Sequence, residues 1–73
     1  MSAIQKHRRI LGESVRVKRK KLGFSQEKLA EKAGLSTVFI SRIERGVESP
    51  SVDNLVKISK ALGVRLRDLV DGF

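Results

Sequence analysis

Residues 23–46 read GFSQEKLAEKAGLSTVFISRIERG, and the fold turns on how this stretch is punctuated. Ser25 has the chemistry of a helix N-cap, and Gln26 and Glu27 fill the first turn. Leu29, Ala30 and Ala33 then form the apolar side of a helix only two turns long. Gly34 supplies a left-handed stop, and Leu35 is an apolar residue inside the connection. Ser36 caps the next helix, which is expected to run to about Arg45 and to stop at Gly46. The result is two short helices joined by a tight, glycine-containing turn.

Each residue of a helix advances about 100° around its axis, so the second member of the pair divides cleanly. Thr37, Val38, Ser41, Arg42 and Arg45 fall in one sector, whereas Phe39, Ile40, Ile43 and Glu44 fall in the opposite one. One face is polar and basic with a single small aliphatic; the other is apolar with one acid in it. Upstream, a first helix from roughly His7 to Leu22 carries Leu11, Val15 and Leu22 on one stripe, and Arg19 falls on that same stripe. A buried-side arginine and a buried-side glutamate suggest each other as partners, which predicts an Arg19–Glu44 ion pair. The alternative is that both side chains snorkel into solvent. Gly12 interrupts the first helix at a cost of about 1 kcal/mol relative to Ala, with close packing as a candidate reason, and Gly23 is its stop.

Downstream, Val47 to Pro50 is the longest irregular stretch. Ser51 is the expected cap of a fourth helix, with Asp53 near its positive end and Val52, Leu55, Ile58 and Leu62 as its stripe; Gly63 terminates it. A last turn or two, Leu66 to Asp71, carries Leu66, Leu69 and Val70 and is followed by Gly72 and Phe73. No stretch alternates as a strand does, so the class is all-α. Residues 7–73 are expected to form one domain, and residues 1–6 a flexible N-terminal extension.

The 73 residues hold 16 Lys and Arg against 8 Asp and Glu, a net charge of +8. Residues 1–22 carry eight bases and one acid, residues 23–46 four bases and three acids, and residues 47–73 four of each. A segment at +7 beside a neutral one is an electrostatic footprint for a polyanion, either nucleic acid or an anionic membrane surface. A solvated helix face is the plainer reading. Three Phe with no Trp or Tyr are too few for the stacking platforms of single-strand and RNA readers, which favours duplex DNA. The absence of Cys excludes disulfides and thiolate metal sites, and one His cannot furnish a metal cage, so no metal or cofactor is expected. No run approaches the ~18 apolar residues of a membrane span and no signal-peptide core is present, which points to the cytoplasm. His7 has no acid to orient it and Ser25, Ser36 and Ser51 are explained as caps, so no enzyme is expected.

Extended upstream through LGESVRVKRKKLG and downstream through SPSVDNLVKISKALGV, the pair of short helices resembles the helix-turn-helix of the Xre/Cro family. That family includes phage repressors, restriction-modification controller proteins and many bacterial regulators. The resemblance covers roughly Leu11 to Val70. It implies a compact five-helix bundle of the lambda-repressor-like type, a transcriptional regulator that binds double-stranded operator DNA as a two-fold homodimer. Residue by residue it implies that Thr37, Val38, Ser41 and Arg42 enter the major groove, that Gln26 meets a phosphate and that Arg45 and the segment after Gly46 lie near the backbone; Ser25 and Ser36 are further candidate phosphate contacts. It also matches Arg19 and Glu44 to a buried pair seen in several members. Two positions depart from the pattern. Many relatives carry an amide where Val38 can offer only a thymine-methyl contact, and Arg65 stands where a Ser or Asp commonly opens the fifth helix.

Arg42 is the first candidate for specificity, because a guanidinium forks onto guanine O6 and N7 for about 1–3 kcal/mol of discrimination; a plain phosphate contact is the alternative. Arg16, Lys18, Lys20 and Lys21 are the non-specific electrostatic component. Val64, Leu66, Leu69, Val70 and Phe73 are the expected dimer interface, unless they simply close the monomer core. An antitoxin would place its toxin partner on that same surface. A membrane-surface or protein-interaction module would use the basic first helix, but its apolar residues Leu11, Val15 and Leu22 are needed for the core. Glu27, Glu31 and Glu48 are candidates for an acidic patch that meets RNA polymerase, a solvated surface being the plainer reading.

Overall fold

The computed structural model describes residues 3–73, and among them the secondary structure is entirely helical. Helices α1 (Ala3–Lys21), α2 (Gln26–Ala33), α3 (Thr37–Glu44), α4 (Val52–Leu62) and α5 (Leu66–Val70) follow one another along the chain. Helix α1 packs on α3 and α5, α2 on α3 and α4, and α4 on α5. The body measures 31 × 23 × 22 Å. Its core joins Leu11 and Val15 of α1, Leu29, Ala30 and Ala33 of α2, Ile40 and Ile43 of α3, Ile58 and Leu62 of α4 and Leu69 of α5.

The caps act where the side-chain chemistry requires. Ser25, Ser36 and Ser51 each accept a hydrogen bond from the backbone N–H three residues on, at 2.9, 3.1 and 3.1 Å. Each therefore satisfies one of the free donors that a helix start leaves open. Gly34 closes α2 in the left-handed region at φ 69°, and its neighbour Leu35 donates to Ala30 O at 2.9 Å. That bond spans the end of the helix in the manner of a Schellman turn and tucks Leu35 against the core. Arg65 cannot accept a hydrogen bond; at the start of α5 the Asp68 carboxylate instead accepts from the Arg65 N–H at 3.0 Å.

Gly12 marks the closest approach of α1 to α3. A Cβ placed there would collide with Ile43 O and lie 2.8 Å from Glu44 O, so only a residue without a side chain lets the two backbones meet. Close packing is thus the reason for a glycine inside α1.

Several expectations are corrected. Helix α1 begins at Ala3 rather than His7 and so takes in 3–6 of the expected extension, while residues 1 and 2 lie outside the described residues. In the sequence the apolar stripe is traced only from Leu11, behind the polar and basic run of residues 5–9. The stripe also ends with the helix: Leu22, just past Lys21, is 48% exposed because the chain is already turning at Gly23. Val52 is 65% exposed, since the first turn of α4 projects beyond the core and the working stripe is Leu55, Ile58 and Leu62. Helix α5 stops at Val70, one residue short of Asp71. Leu69 is wholly buried, so it closes the monomer core and is unavailable to a second chain.

Candidate nucleic-acid interface

Helix α3 is held from one side and open on the other. Ile40 and Ile43 are buried and Phe39 packs against the core. On the opposite face Thr37, Val38, Arg42 and Arg45 are exposed and Ser41 is half-buried. Among the described residues Val38 is the most exposed of the large apolar side chains, at 69%. An aliphatic with no core to serve is suited to an apolar contact outside the chain, such as a thymine methyl.

The orientation of α3 is fixed by one charged junction. Glu44 accepts from Arg19 Nε at 2.6 Å and from Arg19 Nη2 at 3.0 Å, a fork-to-fork pair. It also accepts from Gln26 Nε2 at 3.1 Å, and Arg19 Nη1 donates to Phe24 O at 2.7 Å. Three helices and the loop before α2 therefore converge on two side chains that are 10% and 3% exposed. The hydrogen bond to Glu44 raises the Arg19 guanidinium above its ordinary range, against the lowering effect of burial.

The residues expected at phosphates lie on α1, at the starts of α2 and α3 and just past the end of α3. Arg16, Lys20 and Lys21 are exposed on α1, and Arg45 is exposed just beyond the end of α3. Lys18 is half-buried and donates to Ser14 Oγ at 3.0 Å. The hydroxyl oxygens of Ser25 and Ser36 accept within their own caps, so a hydroxyl proton remains for an outside acceptor. Gln26 sits at the N-terminus of α2, and one hydrogen of its amide nitrogen is taken by Glu44. Beside it are the free N–H groups that make helix starts favourable for anions.

Further contacts escaped the sequence reading. Arg42 Nε donates to Glu48 Oε1 at 3.0 Å across the Gly46 turn, which removes Glu48 from the expected acidic patch with Glu27 and Glu31. The ring of His7 stacks on that of Phe73, with centroids 4.9 Å apart and planes 9° from parallel, laying the chain end on α1. Ser14 Oγ donates to Asp68 O at 3.2 Å, tying α1 to α5. None has a periodic signal. By contrast, the three-residue spacing of Arg65 and Asp68 is that of half a capping box and was available in the sequence. Among the described residues no group of three or more His, Cys, Asp or Glu is placed to hold a metal ion, and no helix is long and apolar enough to cross a membrane.

Comparison with known proteins bears on this geometry. The family model HTH_3, described as Helix-turn-helix, matches residues 15–69. The chain is 49% identical over 65 residues to control protein C.BamHI of Bacillus amyloliquefaciens, a match spanning 88% of this chain and 80% of that protein. The crystal structure of the restriction-modification controller protein C.AhdI from Aeromonas hydrophila superposes with a TM-score of 0.83 at 34% identity, covering 85% of this chain and 94% of that one. The P22 c2 repressor, crystallised in complex with a synthetic operator, superposes with a TM-score of 0.80 at 40% identity, covering 86% and 96%. Some relatives are longer, and the chain spans 57% of the length of SinR of Bacillus subtilis.

Proposed function

From the premise that this chain belongs to the helix-turn-helix family HTH_3, we propose that it is a transcriptional regulator that binds double-stranded DNA with α3 in the major groove. The carrying observation is the open face of α3, where Thr37, Val38, Ser41 and Arg42 stand away from a core that holds Ile40 and Ile43. A helix of this width enters the major groove, and side chains of these types reach base edges there. Phosphate contacts from Arg16, Lys20, Lys21, Ser25, Gln26, Ser36 and Arg45 set the register, and Arg42 contributes base specificity. The c2 relative, crystallised with a synthetic operator, supports operator DNA as the ligand. The chain acts through binding and in the cytoplasm, where duplex DNA is accessible, and its occupancy follows its concentration. Selection of bound duplexes from a random pool tests the reading. A consensus of several base pairs is expected, and recovery of unselected sequence would overturn it.

Two copies are proposed to bind one operator. Val64, Leu66 and Val70 are half-buried and Phe73 is 50% exposed, which leaves an apolar surface at the end of the chain. A body 31 Å long suits a two-fold pair whose recognition helices stand about 34 Å apart, one turn of the duplex. The selected consensus is then an inverted repeat with that spacing, and sedimentation at micromolar concentration finds a dimer. A monomer both with and without DNA would refute the pairing.

A further inference from the structure

The open face of α3 contains one charged contact for which core packing gives no reason. Arg42 is bound through Nε to Glu48 at 3.0 Å, yet Glu48 lies on the far side of the Gly46 turn, in the connection to α4. Gly46, at φ 75°, reverses the chain and brings that connection back alongside the helix. The carboxylate is the more sheltered partner, with the Glu48 side chain 27% exposed against 48% for Arg42. It lines a cleft with Arg8, Pro50 and Leu55.

We propose that Glu48 is a positioning residue that sets the specificity of Arg42, an inference that rests on α3 being the base-reading helix. Three consequences follow from the geometry. First, the Arg42 side chain is ordered before it docks, so less rotamer freedom is lost on binding. Second, Glu48 occupies Nε and leaves the two terminal nitrogens, which have the spacing to fork onto guanine O6 and N7. Third, Glu48 cancels the charge of Arg42 against the general pull of phosphates, the component of binding that is blind to sequence. A phosphate would be met as well by an unpaired arginine, whereas a base edge rewards a guanidinium that arrives already oriented.

The test uses the duplex selected by the wild-type chain. Affinity is measured over a salt series on that operator, on the operator changed at the base pair where Arg42→Ala loses preference, and on random duplex. The proteins are wild type, Glu48→Gln, Glu48→Asp, Arg42→Ala and the Arg42→Ala/Glu48→Gln double variant, each checked for folding by its melting curve. Glu48→Gln is expected to hold random duplex at least as tightly as wild type, with a salt slope steeper by about 0.9. Its discrimination at the Arg42 base pair should fall roughly three- to fivefold, the scale of an exposed but oriented ion pair. Glu48→Asp, which keeps the charge but shortens the reach, should lose discrimination with the slope unchanged. In the Arg42→Ala background Glu48→Gln should cost no further discrimination. Equal strengthening on operator and random duplex with discrimination intact would overturn the proposal, and so would a loss that persists without Arg42. A wild-type chain that selects no duplex would bring down the DNA reading and Glu48 with it. Selection by wild type that Glu48→Gln and Glu48→Asp leave untouched would remove Glu48 alone.

Discussion

At position 12 one carbon atom decides whether α1 and α3 can meet. Gly12→Ala would drive a methyl group into the carbonyls of Ile43 and Glu44, which belong to backbone and cannot swing aside. We expect a loss of about 1–3 kcal/mol or more, as for overpacking, read as a lower denaturation midpoint. Gly34→Ala is the contrasting case. It has open space around it but sits at φ 69°, so its cost is backbone strain of roughly 1–2 kcal/mol. Wild-type stability in Gly12→Ala would show that the close approach is not needed. The junction of Arg19 and Glu44 gives a second residue-scale expectation. Arg19→Ala or Glu44→Ala leaves a buried charge without its partner and should cost about 3–5 kcal/mol, whereas Arg19→Met with Glu44→Leu should cost much less. A double-mutant cycle without coupling would contradict this account. Because the Arg19 guanidinium is raised from an already high value, its share of stability is complete below that ordinary value and is lost only as pH climbs through the raised one. Acid or neutral titration therefore leaves the arginine side of the pair unchanged.

For the helices, the start matters as much as the face. The Ser36 hydroxyl accepts from Phe39 N–H at 3.1 Å and so closes the turn that carries Thr37 and Val38. Ser36→Ala should cost about 1 kcal/mol, and Ser36→Asp should restore most of it. Hydrogen exchange at the Phe39 amide checks this locally, and unchanged protection in Ser36→Ala would remove the cap from the explanation. The caps, stops and faces of α2 and α3 were legible because each depends on one residue type at one spacing. The start of α1 was not, since residues 5–9 are polar and basic and the stripe was traced only from Leu11. Leu22 and Val52 misled for a related reason. Periodicity identifies the stripe of a helix but not where along it the core ends.

Over the whole molecule, the net charge of +8 is concentrated in residues 1–22, and Arg16, Lys20 and Lys21 of that segment are exposed. If a dimer neutralises about 6–10 phosphates, duplex affinity should fall roughly 10³- to 10⁵-fold between 50 and 200 mM salt. A fluorescence titration over that range measures it, and a nearly flat response would contradict electrostatic capture. At this scale the terminal surface also changed meaning. Leu69 belongs to the core, while Phe73 is half outside and stacked on His7. Five apolar residues in a short segment could not by themselves announce which were already taken.

The sequence alone determined the helical class, the bent pair about Gly34, the inward and outward faces of α3 and the partnership of Arg19 with Glu44, because each follows from local propensity or from a fixed angle per residue. Only the tertiary structure decided why Gly12 is a glycine, that Glu48 holds Arg42, that Gln26 joins the buried junction and that the ring of Phe73 lies on His7. Those contacts join residues whose separation along the chain carries no periodic trace. They exist because packing the core brings distant backbones together, and no angle measured along a single helix contains that distance.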